Sequence, residues 1–188
     1  MKTKWLTETI HYDGSQLRSQ YAYFQHGLLG DSIVAWQGPC AVAPEFMVDG
    51  EDFLQKQTIA GASMLHFIVE KFSMPLAFAV ALQRLMTARM LETLRDTATS
   101  ADRAFLRREG DDIFLRDRKL SISIATVSPV SMLIHFALNV VNEGTPVPTV
   151  SLNDLGVDPQ KLAEQFMTWL REEDVSIREA TLKVRWVR

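Results

Sequence analysis

The chain has 188 residues, 47% hydrophobic and 23% charged, with a formal net charge of −3. That length suits one globular domain with a core large enough to be stable without staples. The slightly acidic balance gives no reason to expect the basic surface that phosphate recognition demands, so no nucleic-acid partner is expected. One cysteine, Cys40, leaves no internal disulfide and points to a reducing compartment. After Met1-Lys2-Thr3-Lys4-Trp5 the sequence turns polar, with Glu8, His11 and Asp13, and no apolar signal core follows the lysines. The uncharged stretch Leu120–Asn142 is broken by Ser121, Ser123, Ser128, Pro129, Ser131 and Asn139, which suits buried strands better than a membrane span. The reading is a cytoplasmic protein with no membrane contact.

In chain order, Arg18 and Ser19 precede the aromatics Tyr21, Tyr23 and Phe24, a pattern that fits a helix start. Residues 31–37 form an apolar run closed by Gly38-Pro39, as a buried strand ending in a turn would be. After the break Asp49-Gly50-Glu51-Asp52, residues 53–60 suggest a short helix and 63–72 a strand rich in aromatic and β-branched residues. Phe78, Leu82, Met86, Met90 and Leu94 recur every four residues and predict an amphipathic helix ending near Arg95. Residues 105–115 and 120–127 read as an antiparallel pair around the polar turn 116–119. Residues 132–141 read as a further buried strand. Asp158 and Pro159 mark the cap and first residue of a last helix with the stripe Leu162, Phe166, Trp169 and Leu170. Alternation over 182–187 predicts a final strand. Strands and helices without a regular βαβ rhythm imply an α+β layered fold.

Several side chains are candidates for chemistry. Asn139 sits in an apolar strand, where its amide needs partners. His66 and His135 lie inside predicted strands. Each is read either as a hydrogen-bonded core histidine or as converging with Gln37 on a pocket. Cys40 is read either as a small buried hydrophobe or as an activated nucleophile. The histidines show no metal-ligand spacing, so no metal site is predicted.

The segment Asp111-Asp112-Ile113-Phe114-Leu115-Arg116-Asp117-Arg118-Lys119-Leu120 resembles biotin protein ligases, in which a lysine closes a hairpin seven residues after an aspartate. His135-Phe136-Ala137-Leu138-Asn139-Val140 is similar to the octanoyltransferase strand ending in Ala-Leu-Asn-Val. Ser151, Gly156 and the helix from Asp158 follow as in biotin ligases. As a whole the chain is identified as a member of an uncharacterised family, domain of unknown function 366, grouped with biotin ligases, lipoate ligases and octanoyltransferases.

The resemblance implies a single biotin/lipoate ligase-like domain over residues 1–188. Its fold would be that of class II aminoacyl-tRNA synthetases and biotin synthetases, a mainly antiparallel sheet flanked by helices. It gives Lys119 a catalytic role, stabilising negative charge on an acyl oxygen or phosphate. Asp112 and Asn139 would face nucleotide or Mg²⁺, and Arg18 and Ser19 an acyl pocket. ATP with Mg²⁺ is the implied cofactor, a small carboxylic acid or nucleotide the implied ligand, and an unpaired edge strand would admit a homodimer.

The chain also departs from the family pattern. Residues 38–62 contain no arginine, where the ligases carry an arginine- and glycine-rich loop, and Ile122 stands where a strand glycine is expected. No cysteine follows Asn139. Two readings stay open: acyl activation or transfer beside Lys119, and a non-catalytic metabolite- or protein-binding module on the same fold.

Overall fold

A computed structural model describes residues 1–187. Its centre is a five-stranded sheet. The strands are β1 (Lys2–Trp5), β2 (Ser32–Ala41), β3 (Ala60–Phe72), β7 (Ser121–Val127) and β8 (Ser131–Asn139), in the spatial order β1-β2-β3-β8-β7. Only the β1–β2 pairing is parallel. A three-stranded sheet of β4 (Leu106–Glu109), β5 (Asp112–Leu115) and β6 (Arg118–Lys119) stands at its end. The helices are α1 (Tyr21–His26), α2 (Gly50–Gln55), α3 (Leu76–Thr97), α4 (Leu152–Leu155) and α5 (Pro159–Leu182). The fold class is thus mixed α+β with a mainly antiparallel sheet, as the sequence implies.

Side chains alternate across a strand, and the two faces of the main sheet are covered differently. Ile33 and Ala35 of β2, Leu65, Phe67 and Val69 of β3, and Ile134, Phe136 and Leu138 of β8 pack against α3 and α5. There Phe166 meets the Phe67 ring edge-on, with centroids 5.3 Å apart. The intervening residues Val34, Trp36, Met64, Ile68 and Ala137 face Leu6, Tyr12, Tyr21 and Ala22, from the long segment between β1 and β2.

Four local expectations change. The strand does not stop at Gly38-Pro39. β2 runs through to Ala41 with a bulge between Gly38 and Cys40, because Gly38 lets the Ile10 carbonyl lie where a Cβ would otherwise sit. The short helix starts earlier than its apolar residues suggest, because Asp49 caps it by accepting from the Glu51 and Asp52 amides at 2.8 and 3.0 Å.

Residues 105–115 are not one strand. Gly110, at φ 61°, turns the chain between β4 and β5, which pair with each other, while β7 pairs with β8. Finally, 182–187 add no strand: α5 continues to Leu182, and residues 183–187 have no regular structure. Among the described residues, no helix is long and apolar enough to cross a membrane.

Candidate ligand-binding site

The loop-covered face of the sheet opens into a cavity of about 380 Å³, within the range of about 300–1,000 Å³ usual for small-ligand sites. Its floor is Met64 of β3, Ile122 and Ile124 of β7, and His135 and Asn139 of β8. Tyr12 and Leu17 wall one side. Asp49 and Asp52 at the start of α2, and Thr145–Val147 with Thr149, wall others. The small sheet contributes Asp111, Asp112 and Lys119.

Lys119 is held at the backbone. Its amide donates to Pro148 O at 3.0 Å, and its carbonyl accepts from the Val150 amide at 3.1 Å. Its ammonium forms an ion pair with Asp112 at 2.8 Å. Burial raises the Asp112 carboxyl above the ordinary carboxylate range, and Lys119 only partly offsets that. Asp52 is raised too, first by burial and then by Asp49, with Lys119 opposing. Asp111 is engaged elsewhere: it accepts from Gln83 Nε2 at 2.8 Å and pairs with Arg84 at 3.0 Å. No hydrogen bond or ion pair engages the Asp52 carboxylate among the described residues. The lining therefore holds four carboxylates and one lysine.

Asn139 is buried, and its Nδ2 donates to Lys119 O at 3.2 Å and Val150 O at 3.4 Å. Carbonyls only accept, so this fixes the amide orientation and leaves Oδ1 without a protein donor among the described residues. His66 and His135 form a buried pair. His66 Nε2 lies 3.2 Å from Gly38 O, and its Nδ1 lies 3.1 Å from His135 Nε2. Burial pushes His66 down to about 3 and His135 well below the usual histidine range, so both rings are neutral.

The Gly38 carbonyl requires the His66 proton on Nε2, so His66 Nδ1 accepts from His135 Nε2–H. His135 Nδ1 is then a bare acceptor without a protein donor among the described residues. Tyr12 stacks on the His135 ring with centroids 3.8 Å apart.

Of the residues singled out from sequence, Lys119, Asp112, Asn139 and His135 meet at this cavity. The others do not line it. His66 lies beneath His135, stacked on Trp36 at 5.2 Å. Gln37 pairs with Leu65, one residue out of phase with the Trp36–His66 pair, so it faces the opposite side and donates to Ser63 Oγ at 3.0 Å. Arg18 and Ser19 sit in the turn before α1, where Gln20 N donates to Glu70 and turns the chain away. Cys40 is buried and its thiol is pushed up to about 12 by desolvation, which makes it a poor nucleophile.

Tyr12 and Asp52 lie outside the sequence prediction. Both belong to segments without periodicity, and nothing local marks them as lining a pocket. Among the described residues there is no group of three or more histidine, cysteine or acidic side chains placed to hold a metal.

The sheet order and the helices packed on it define a fold class. A biotin protein ligase variant from Aquifex aeolicus with biotin bound superposes with a TM-score of 0.58 at 12% identity, over 95% of this chain and 72% of that one. Lipoate-protein ligase A with ATP bound gives 0.51 at 15% identity, over 89% and 83%. The fold is that of biotin and lipoate ligase catalytic domains. A protein of unknown function from Pyrococcus horikoshi is 43% identical, with a TM-score of 0.90 and full coverage of both chains. Residues 1–185 match the family model described as domain of unknown function DUF366, and the chain belongs to that family.

Proposed function

We propose that this protein binds a small organic metabolite in the cavity beside Lys119, as a binding module on a ligase-type scaffold. The observation that carries this reading is convergence. Asp112, Lys119, His135 and Asn139, from three strands in two sheets, line one cavity of ligand size. The acceptors left over at the floor, His135 Nδ1 and Asn139 Oδ1, have no protein donor among the described residues and belong to side chains that line the cavity, where a ligand can bond to them.

The residues present fit a triphosphate poorly unless a divalent cation accompanies it. A triphosphate needs several cations or a bound metal. Here the lining offers one lysine, already paired with Asp112, against four carboxylates. A second reading keeps acyl activation beside Lys119. It is favoured by the placement of that lysine at the cavity edge, where an ammonium could stabilise charge on a small carboxylic acid.

A thermal-shift screen tests the two. Ligand present at a hundred times its Kd stabilises the native state by about 2.7 kcal/mol. That corresponds to a Tm rise of roughly 5–10 °C for a chain of this size. Metabolites that raise Tm without ATP support the binding module. Pyrophosphate release from ATP in the presence of an acid would replace it with the activating enzyme.

A further inference from the structure

We infer that the cavity beside Lys119 takes an amine-bearing small molecule, its ammonium paired with Asp52 and its other N–H or O–H groups donated to His135 and Asn139. This rests on the cavity being a ligand site, as proposed above, and adds the ligand's charge and polarity.

Two independent observations support it. The first is the hydrogen-bonding sense of the buried floor. His135 and Asn139 are 2% and 4% exposed. The partners of both are fixed by carbonyls, directly at Asn139 and through His66 at His135. What each has left is an acceptor, His135 Nδ1 and Asn139 Oδ1. A carboxylate or phosphate brings only acceptors and would set lone pair against lone pair. An ammonium or hydroxyl brings donors.

The second observation is charge. Lys119 is neutralised by Asp112 at 2.8 Å, and Asp111 by Arg84 at 3.0 Å. Asp49 is held at the α2 cap. Asp52 is the carboxylate of this set with no partner among the described residues. Burial and the neighbouring Asp49 make its charge unfavourable, a cost that a bound cation removes. An incoming anion meets the same field with the opposite sign. Tyr12, stacked over His135, adds an aromatic wall compatible with the alkyl part of such a ligand.

The test compares two probes of equal length and opposite charge, aminohexanol and hydroxyhexanoate, titrated into the full-length protein and followed by amide NMR. The expected result is saturable shifts at the Asn139 side-chain amide and around His135 with aminohexanol, and none with hydroxyhexanoate. Asp52→Asn should weaken the amine about tenfold, the scale of one lost charge-assisted hydrogen bond. Lys119→Met should raise amine affinity, because it removes a cation from the cavity and frees the Asp112 carboxylate.

Tighter binding of hydroxyhexanoate in the cavity overturns the amine assignment and leaves the binding-module reading standing. Binding of neither probe overturns the amine assignment, and the metabolite thermal-shift screen then decides separately whether the cavity binds any ligand. An Asp52→Asn variant with undiminished amine affinity removes Asp52 as the counter-ion and overturns the inference.

Discussion

The two faces of the main sheet come from the same strands and differ in what covers them. On one face α3 and α5 present largely apolar stripes, and Met86, Met90, Leu94, Phe166 and Leu170 are buried against the strands. On the other the cover is a long segment with little regular structure. Such a segment brings unpaired backbone carbonyls to the sheet, and polar side chains must meet them. Trp36 Nε1 donates to Ile10 O of that segment at 2.9 Å; on the same face His66 bonds Gly38 O at the β2 bulge, and Asn139 bonds Lys119 O and Val150 O. A helix-covered face closes; a loop-covered face stays polar and retains a cavity.

The largest expected effect lies on the closed face. Phe166 is fully buried, edge-on to Phe67 and near Phe136. Phe166→Ala should cost about 3–5 kcal/mol in urea unfolding, because the close-packed surroundings cannot collapse into the void. A loss below about 1 kcal/mol would mean that this face is as loosely filled as the other.

Next comes acid sensitivity, which belongs to the loop-covered face. His66 and His135 have folded pKa values below the unfolded value, so the folded state binds fewer protons. Their contribution is fully present above about pH 6.5 and is lost as pH falls towards the folded values. Between pH 7 and pH 5 His66 should cost roughly 2 kcal/mol, and His135 should add to that loss in the same direction. Urea midpoints measured at both pH values check this. His135→Gln, which retains a donor for His66 Nδ1, should reduce the loss. An unchanged pH dependence in that variant would show that His135 is not buried in neutral form.

How the two faces are bounded also explains what could be read from sequence. The period of four in α3 and the apolar runs of β3 and β8 announce the closed face directly, because burial against a helix leaves a regular trace. The pairing of Asp112 with Lys119 was legible as a spacing resemblance, and Asn139 and His135 as polar residues in an apolar strand. The other side of the cavity was not. Tyr12 and Asp52 come from segments whose position is set by distant partners. Gln37 was misplaced because strand parity relative to His66 depends on a register that only pairing defines. The hairpin of β4 and β5 was hidden by a single residue, Gly110, whose positive φ reverses a stretch that reads as continuous strand.

A smaller effect is expected where the loop cover meets the sheet. At Gly38 an added methyl group would press on the Ile10 carbonyl, so the segment bearing Tyr12 must shift. Gly38→Ala should destabilise by about 1–3 kcal/mol. It should also disturb the stacking of Tyr12 on His135, visible as changed histidine ring resonances. Stability and ring shifts both equal to wild type would show that the cover is not fixed at this point, and the contrast between the faces would then rest on composition alone.

The smallest effect on stability should come from Lys119→Met, which makes it the cleanest probe of the site. The Lys119–Asp112 pair is partly solvated, with side chains 31% and 26% exposed. Such pairs contribute about 0–1 kcal/mol, so unfolding should change by no more than that. Removing the ammonium leaves Asp112 in a site that already raises its pKa, so it protonates more readily or takes a cation in place of Lys119. If the cavity were built for an acid, the same substitution would abolish binding while the fold stayed intact. Stability is nearly blind to this residue, so any change in ligand preference reports on the chemistry of the cavity and not on the integrity of the sheet beneath it.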